Sequence, residues 1–94
     1  MNSILQTEHR CWVCGTDKNL MLHHCIYGSG KRALADKEGL TIWLCPRHHN
    51  MSNEGVHFDK ALDLRVKQFA QTEWLAQHDN NLDGWFKLFH RSWL

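Results

Sequence analysis

Apolar positions along the chain fall into two short runs followed by longer periodic stretches. Residues 20–27 and 40–44 are compact and apolar, and they carry aromatic or β-branched side chains, so each predicts a strand. Between them, Gly28-Ser29-Gly30-Lys31-Arg32 reads as a flexible basic loop, and residues 33–38 as a helical turn ended by Gly39. Pro46 sits where a helix can begin, because the first turn does not need its missing N–H; a short helix through His48, His49 and Asn50 is expected. Residues 52–55 read as a loop. From about Phe58 the spacing turns helical, with Ala61, Leu62, Leu64, Val66, Phe69, Ala70, Trp74 and Leu75 near a 3.6-residue stripe. Asn80-Asn81 breaks it, and residues 82–89 predict a final helix. The first ten residues form a polar leader.

At 94 residues the chain makes one domain, in which residues 11–57 form a first module and residues 58–94 a helical extension. A first half this short has little core of its own. The formal net charge of +1 gives no bulk basic signal for nucleic acid and does not exclude it. The leader lacks the basic region and long apolar run of a secretion signal, and no stretch approaches the roughly 20 apolar residues of a membrane span. A cytoplasmic protein without a membrane partner is therefore expected.

That expectation decides how to read the four cysteines. Cys11 and Cys14 are two residues apart at a tight turn, where Gly15 is free to take positive φ, and Cys45 and His48 repeat the spacing at a helix start. Each pair can present two ligands from one turn. Together they predict a structural zinc tying the ends of the hairpin, in preference to two disulfides. Cys25 is the odd thiol and is expected to face the core.

Eight histidines are many for this length. With His48 assigned to zinc, His23, His24, His49 and His57 remain. Neighbours in a strand point to opposite faces, so His23 and His24 diverge. His49 points about 100° away from His48 on a helix and can face a separate site. His57 lies close enough in sequence to join it. Isolated histidines are usually structural, but two His-His pairs at a strand and a helix favour a functional cluster. His9, His78 and His90 have no such context and are expected at the surface. Lys31 and Arg32 could hold a phosphate, with a solvated loop as the alternative. Trp74, Trp85, Phe86, Phe89 and Trp93 are expected to cover the zinc module, with a partner face as the other reading.

Leu22-His23-His24, the Gly-rich loop after it, Gly39-Leu40 and Leu44-Cys45-x-x-His48-His49 together resemble an HNH endonuclease of the ββα-metal type, in its zinc-stapled subgroup. The stretch from Gly55-Val56-His57 to Trp85-Phe86-Lys87-Leu88-Phe89 is similar to small HNH-like proteins of phages and prophages. The motifs cover about residues 11–57. The resemblance implies a small α+β fold with a zinc-stabilised ββα-metal, treble-clef-like core followed by C-terminal helices. It implies that His24 is the general base and that His23 and His49, with His57 as a further ligand, hold a catalytic divalent ion. The family's middle asparagine has no clear counterpart: its place falls near Gly39 or Leu40, with Asp36 close by.

The activity implied is metal-dependent hydrolysis of DNA phosphodiester bonds, as a nickase or in phage DNA processing, in a bacterial host cytoplasm and with a phage or host protein as a further partner. Imidazole titrates near neutral pH and suits the base. A divalent ion such as Mg²⁺, Mn²⁺, Ni²⁺ or Zn²⁺ would polarise the phosphate; all-imidazole ligation leans toward transition metals. DNA would be held mainly through its phosphates. The rival expectation is a non-catalytic zinc-binding adaptor for DNA or protein on the same scaffold.

Overall fold

In the computed structural model, which describes residues 3–50 and 55–94, the chain runs β1 (Met21–His24), α1 (Lys31–Glu38), β2 (Thr41–Leu44), α2 (Pro46–His49), α3 (Lys60–Gln77) and α4 (Leu82–Phe89). The small α+β class expected from the sequence holds. β1 and β2 pair antiparallel in the register Met21↔Leu44, Leu22↔Trp43, His23↔Ile42, His24↔Thr41. The loop expected at residues 52–54 lies outside the described residues.

Both strands are shorter than their apolar runs. After the His24–Thr41 pair one more bond forms, Cys25 N–H to Leu40 C=O at 2.9 Å, before the chain turns away. Lys31 and Arg32 do not lie in a flexible loop: α1 begins at Lys31, behind Gly30 with φ +74°. At its other end Gly39 takes φ +75°, its N–H reaches the Ala35 and Asp36 carbonyls, and the Leu40 N–H bonds Ala35 C=O at 2.8 Å. This left-handed closure satisfies the last carbonyls of the helix and aims the chain into β2.

The leader is structural rather than merely polar. Trp43 N–H donates to Gln6 Oε1 at 2.8 Å, Ile4 N–H to Gly39 C=O at 2.9 Å, and Ser3 Oγ to Thr41 C=O at 2.5 Å. Trp12 N–H bonds Trp43 C=O from the same side at 2.8 Å. The outer edge of β2 is thus covered, which removes unpaired backbone groups that would otherwise template further pairing.

The Asp59 carboxylate accepts the Ala61 and Leu62 N–H groups and starts α3. Leu62, Val66, Ala70 and Trp74 face the core as the stripe predicted, whereas Ala61 and Leu64 are exposed. In their place the helix buries Gln71, whose amide donates to Ser92 Oγ at 2.8 Å and accepts from Trp93 N–H at 2.7 Å. Gln68 Nε2 adds a bond to Trp93 C=O at 2.9 Å, so the tail after α4 folds back along α3. α4 matches its predicted bounds and buries Trp85 and Phe89 but exposes Phe86. Trp85 packs against Trp74 (centroids 5.6 Å) and Phe89 (4.4 Å) and donates from Nε1 to Arg91 C=O. Cys25, Ile26, Ala35, Leu40, Ile42 and Leu44 from the first half join these side chains in one core. No helix among the described residues is long and apolar enough to cross a membrane.

Truncating the indole at the centre of this cluster should be far costlier than truncating its exposed neighbour. Trp85→Ala is expected to lose about 3–5 kcal/mol, against under about 1 kcal/mol for Phe86→Ala, as read by urea unfolding of the zinc-loaded protein.

Candidate metal centres and the adjoining cavity

The Cys11–Cys14 turn is closed by Gly15 N–H to Cys11 C=O at 2.8 Å and by Cys11 N–H to Thr16 C=O at 2.8 Å, with Gly15 at φ +78°. A similar turn, His48 N–H to Cys45 C=O at 3.0 Å, opens α2. The two turns meet. Cys14 Sγ lies 3.7 Å from Cys45 Sγ, Cys11 Sγ 3.8 Å from His48 Nδ1, and Cys45 Sγ 3.2 Å from His48 Nδ1. Sulfurs bound at about 2.3 Å to a tetrahedral zinc sit roughly 3.8 Å apart. The cysteines are free thiols, not cystines. Cys11, Cys14, Cys45 and His48 therefore lie close together and could hold a metal such as zinc.

The electrostatics of the quartet fit that use. Burial opposes ionisation of Cys11, yet the backbone amides of Cys14, Cys45 and Val13 outweigh it and hold the thiol at about 6, below its ordinary 9.0. Cys45 is pushed the other way, by burial and by the sulfurs of Cys11 and Cys14 beside it. Crowded thiolates repel without a cation among them, and a bound Zn²⁺ deprotonates its thiols outright. Cys25, by contrast, is fully buried in the core as expected, and desolvation drives its thiol upward.

The remaining histidines divide as strand and helix geometry require. His23 is buried (2% exposed), and His24, one residue on, turns to the other side of β1. His49 leaves His48 to the sulfurs and faces His23, with ring centroids 5.4 Å apart. His57 is brought in by its backbone: Val56 N–H and His57 N–H bond the His48 and His49 carbonyls at 2.9 and 3.2 Å, filling acceptors that the end of α2 leaves open. His57 Nε2 then sits 3.1 Å from His49 Nε2, and its ring 5.3 Å from His23. One nitrogen from each of His23, His49 and His57 falls within 4.8 Å of the others, and the three could hold a metal ion.

Two observations bear on that fit. His23 Nε2 is buried and makes no hydrogen bond; so is His49 Nδ1. A buried nitrogen left unpartnered costs about 1–3 kcal/mol, which for His23 a cation bound at Nε2 would offset. Burial, and then the neighbouring His49, His57, His24 and Lys67, lower His23 to about 3. Burial and His57 also lower His49. Both imidazoles are therefore neutral at pH 7, the state in which they ligate.

His24 stands beside this triad. Arg32 Nε donates to His24 Nδ1 at 3.4 Å, so Nδ1 is the acceptor and the ring proton lies on Nε2, which faces Asp36 Oδ1 at 3.3 Å. α1 places both partners one turn apart. Lys31 and Arg32, expected as a joint clamp, are separated: Arg32 meets His24, whereas Lys31 Nζ lies 6.0 Å from the Trp93 ring. His24, Arg32, His23, His49 and His57 border one cavity of about 350 Å³, completed by Leu22, Tyr27 and Gly28. Tyr27 was not legible as a site residue. It edges against His23 and His57 at 5.9 and 5.5 Å, and its hydroxyl donates to Asp63 at 3.0 Å. His9, His78 and His90 are exposed, as expected.

Comparison of the chain with protein-family models, with curated proteins and with solved structures returns no match.

Cys14→Ser should lose the metal of the quartet and melt the first half of the chain, while His24→Ala should keep both fold and zinc. Far-ultraviolet circular dichroism and zinc content per chain check the pair; an unfolded His24→Ala protein would contradict the placement of His24 at the cavity edge.

Proposed function

We propose that this protein is a metal-dependent endonuclease of the HNH, ββα-metal kind that hydrolyses DNA phosphodiester bonds and acts as a nickase. In this reading β1, β2 and α2 are the ββα unit, α1 is carried within the hairpin, and zinc in the Cys11, Cys14, Cys45, His48 quartet is structural. The observation that carries the reading is the shared cavity: an imidazole with an oriented carboxylate partner borders the same hollow as three converging imidazoles.

His23, His49 and His57 would hold the catalytic ion, with Zn²⁺, Ni²⁺ or Mn²⁺ better suited than Mg²⁺ to an all-imidazole set. When bound, it supplies Lewis-acid stabilisation of the charge developing on the phosphate and the leaving 3′ oxygen. The residues of the chain do the rest. An incoming phosphate engages the Arg32 guanidinium and draws it from His24 Nδ1, which frees that lone pair. Asp36 holds the Nε2–H and fixes both tautomer and ring orientation, the part a second carboxylate plays for other histidine bases. His24 Nδ1 takes a proton from water, the hydroxide oxygen attacks phosphorus, and the P–O3′ bond breaks as a solvent water protonates the departing 3′ oxygen.

A non-catalytic adaptor is the second reading, favoured by one feature: the place of the family's asparagine falls on Gly39 and buried Leu40, neither of which offers an amide side chain. Plasmid nicking separates the two. With Mn²⁺, Ni²⁺ or Zn²⁺ the protein is expected to convert supercoiled to open-circular DNA, and His24→Ala to slow this by about 10²–10⁴-fold. Asp36→Asn is expected to slow it about tenfold without changing DNA affinity. No nicking with any metal would leave the adaptor.

In the same preparation, metal content should read two ions per chain when the protein is loaded with excess Zn²⁺. His57→Ala should drop it toward one and leave the fold intact. A wild-type chain that holds a single ion, in the sulfur quartet, would remove the second centre.

A further inference from the structure

Beyond Tyr27 the surface carries an unusual gathering of cations. Arg91, Lys67 and Lys31 lie 4.9, 5.8 and 6.0 Å from the ring of Trp93. Lys67 and Arg91, with Lys60, line a second hollow of about 460 Å³ that shares Tyr27 and His57 with the histidine cavity. Among the described residues Asp63 is the one carboxylate on its wall, and it is already engaged by Lys67 Nζ at 2.7 Å and Tyr27 Oη at 3.0 Å. Lys60 and Arg91 are exposed and make no ion pair with another described residue. A wall with this surplus of positive charge, on a chain of net charge +1, concentrates the protein's attraction for anions at one place.

We propose that this hollow docks the phosphodiester chain of duplex DNA flanking the bond to be cut, with the exposed Lys60 and Arg91 as its phosphate contacts. The inference rests on the nuclease reading and extends it to the helical half of the chain, outside the motifs that suggested that reading. Continuity through Tyr27 and His57 lets one backbone run from these cations into the histidine cavity, where Arg32 waits. Duplex is favoured over single strand because single-strand sites stack bases on bare aromatic faces. Here Trp93 is half-buried and ringed by cations, and Lys67 sits 4.6 Å over the Tyr27 ring.

Fluorescence anisotropy of a short labelled duplex, and of its single strand, tests this on the full zinc-loaded chain without added divalent metal. The combined Lys60→Glu and Arg91→Glu variant is expected to lose about tenfold or more in duplex affinity. The slope of log affinity against log salt should become shallower by about two. Lys18→Glu, on the cysteine knuckle, should change neither. Should charge reversal cost stability, Lys60→Gln with Arg91→Gln reads the same slope. Unchanged affinity and slope in a variant, beside a wild type that still binds and nicks, would overturn this docking site and leave the nuclease standing. Preference for single strand would equally overturn it. A wild type that neither binds nor nicks would remove the nuclease reading and this one with it.

Discussion

Two strands of four residues each bury too little to persist alone in water, so the hairpin depends on what draws its ends together. A metal held by Cys11, Cys14, Cys45 and His48 would do this from outside the sheet: two of these residues precede β1 and two follow β2. A cation joining four such groups constrains the chain much as a covalent staple would, and it also neutralises thiolates that otherwise repel. The positions of His49 and His57 follow from that closure. α2 is fixed at its first turn by Cys45 and His48, so His49 has one direction left to face, toward His23. The backbone bonds from Val56 and His57 to the α2 carbonyls exist only if α2 is held there.

Much of this could be read from spacing alone. The two-residue intervals named the quartet, the period of a strand separated His23 from His24, and the 100° step of a helix separated His48 from His49. α4 was bounded to the residue by Asn81, whose side chain accepts the Gly84 N–H, and by the left-handed His90 that follows it. What stayed hidden was anything carried by tertiary approach. Gln71 reads as a solvent-facing residue until the returning tail offers Ser92 and Trp93 as partners. Leu64 points outward because it lies two residues, about 200° of helix, from both Leu62 and Val66, which are buried. Lys31 and Arg32 look like loop residues because glycines precede them, whereas Gly30 in a left-handed conformation starts a helix instead.

That misreading of α1 matters for the chemistry. As a loop, Lys31 and Arg32 would be two free cations near a phosphate. As adjacent helical residues they point to different faces, one toward His24 and one toward Trp93. The helix also brings Asp36 to the imidazole of His24, supplying it with a carboxylate partner. In the free protein His24 is bonded at both nitrogens. In the proposed nuclease such a base would stay idle until a competing anion took its arginine, so that substrate binding and base release would be one event.

Tyr27 joins the two halves of the molecule at this point. Its hydroxyl is held by Asp63 of α3, and burial together with that carboxylate raises it to about 12, so it remains a proton donor and never an extra charge beside the histidines. Lys67 completes the set by bonding Asp63 while lying over the Tyr27 ring. A carboxylate left open so near three imidazoles would compete for any cation they hold. Bound on both sides, Asp63 does not, and α3 can offer its remaining cations to an anion outside. The helical extension thus does more than cover the hairpin: through Asp63 it anchors Tyr27, a wall of the histidine cavity, and it sets the sign of the hollow beside that cavity.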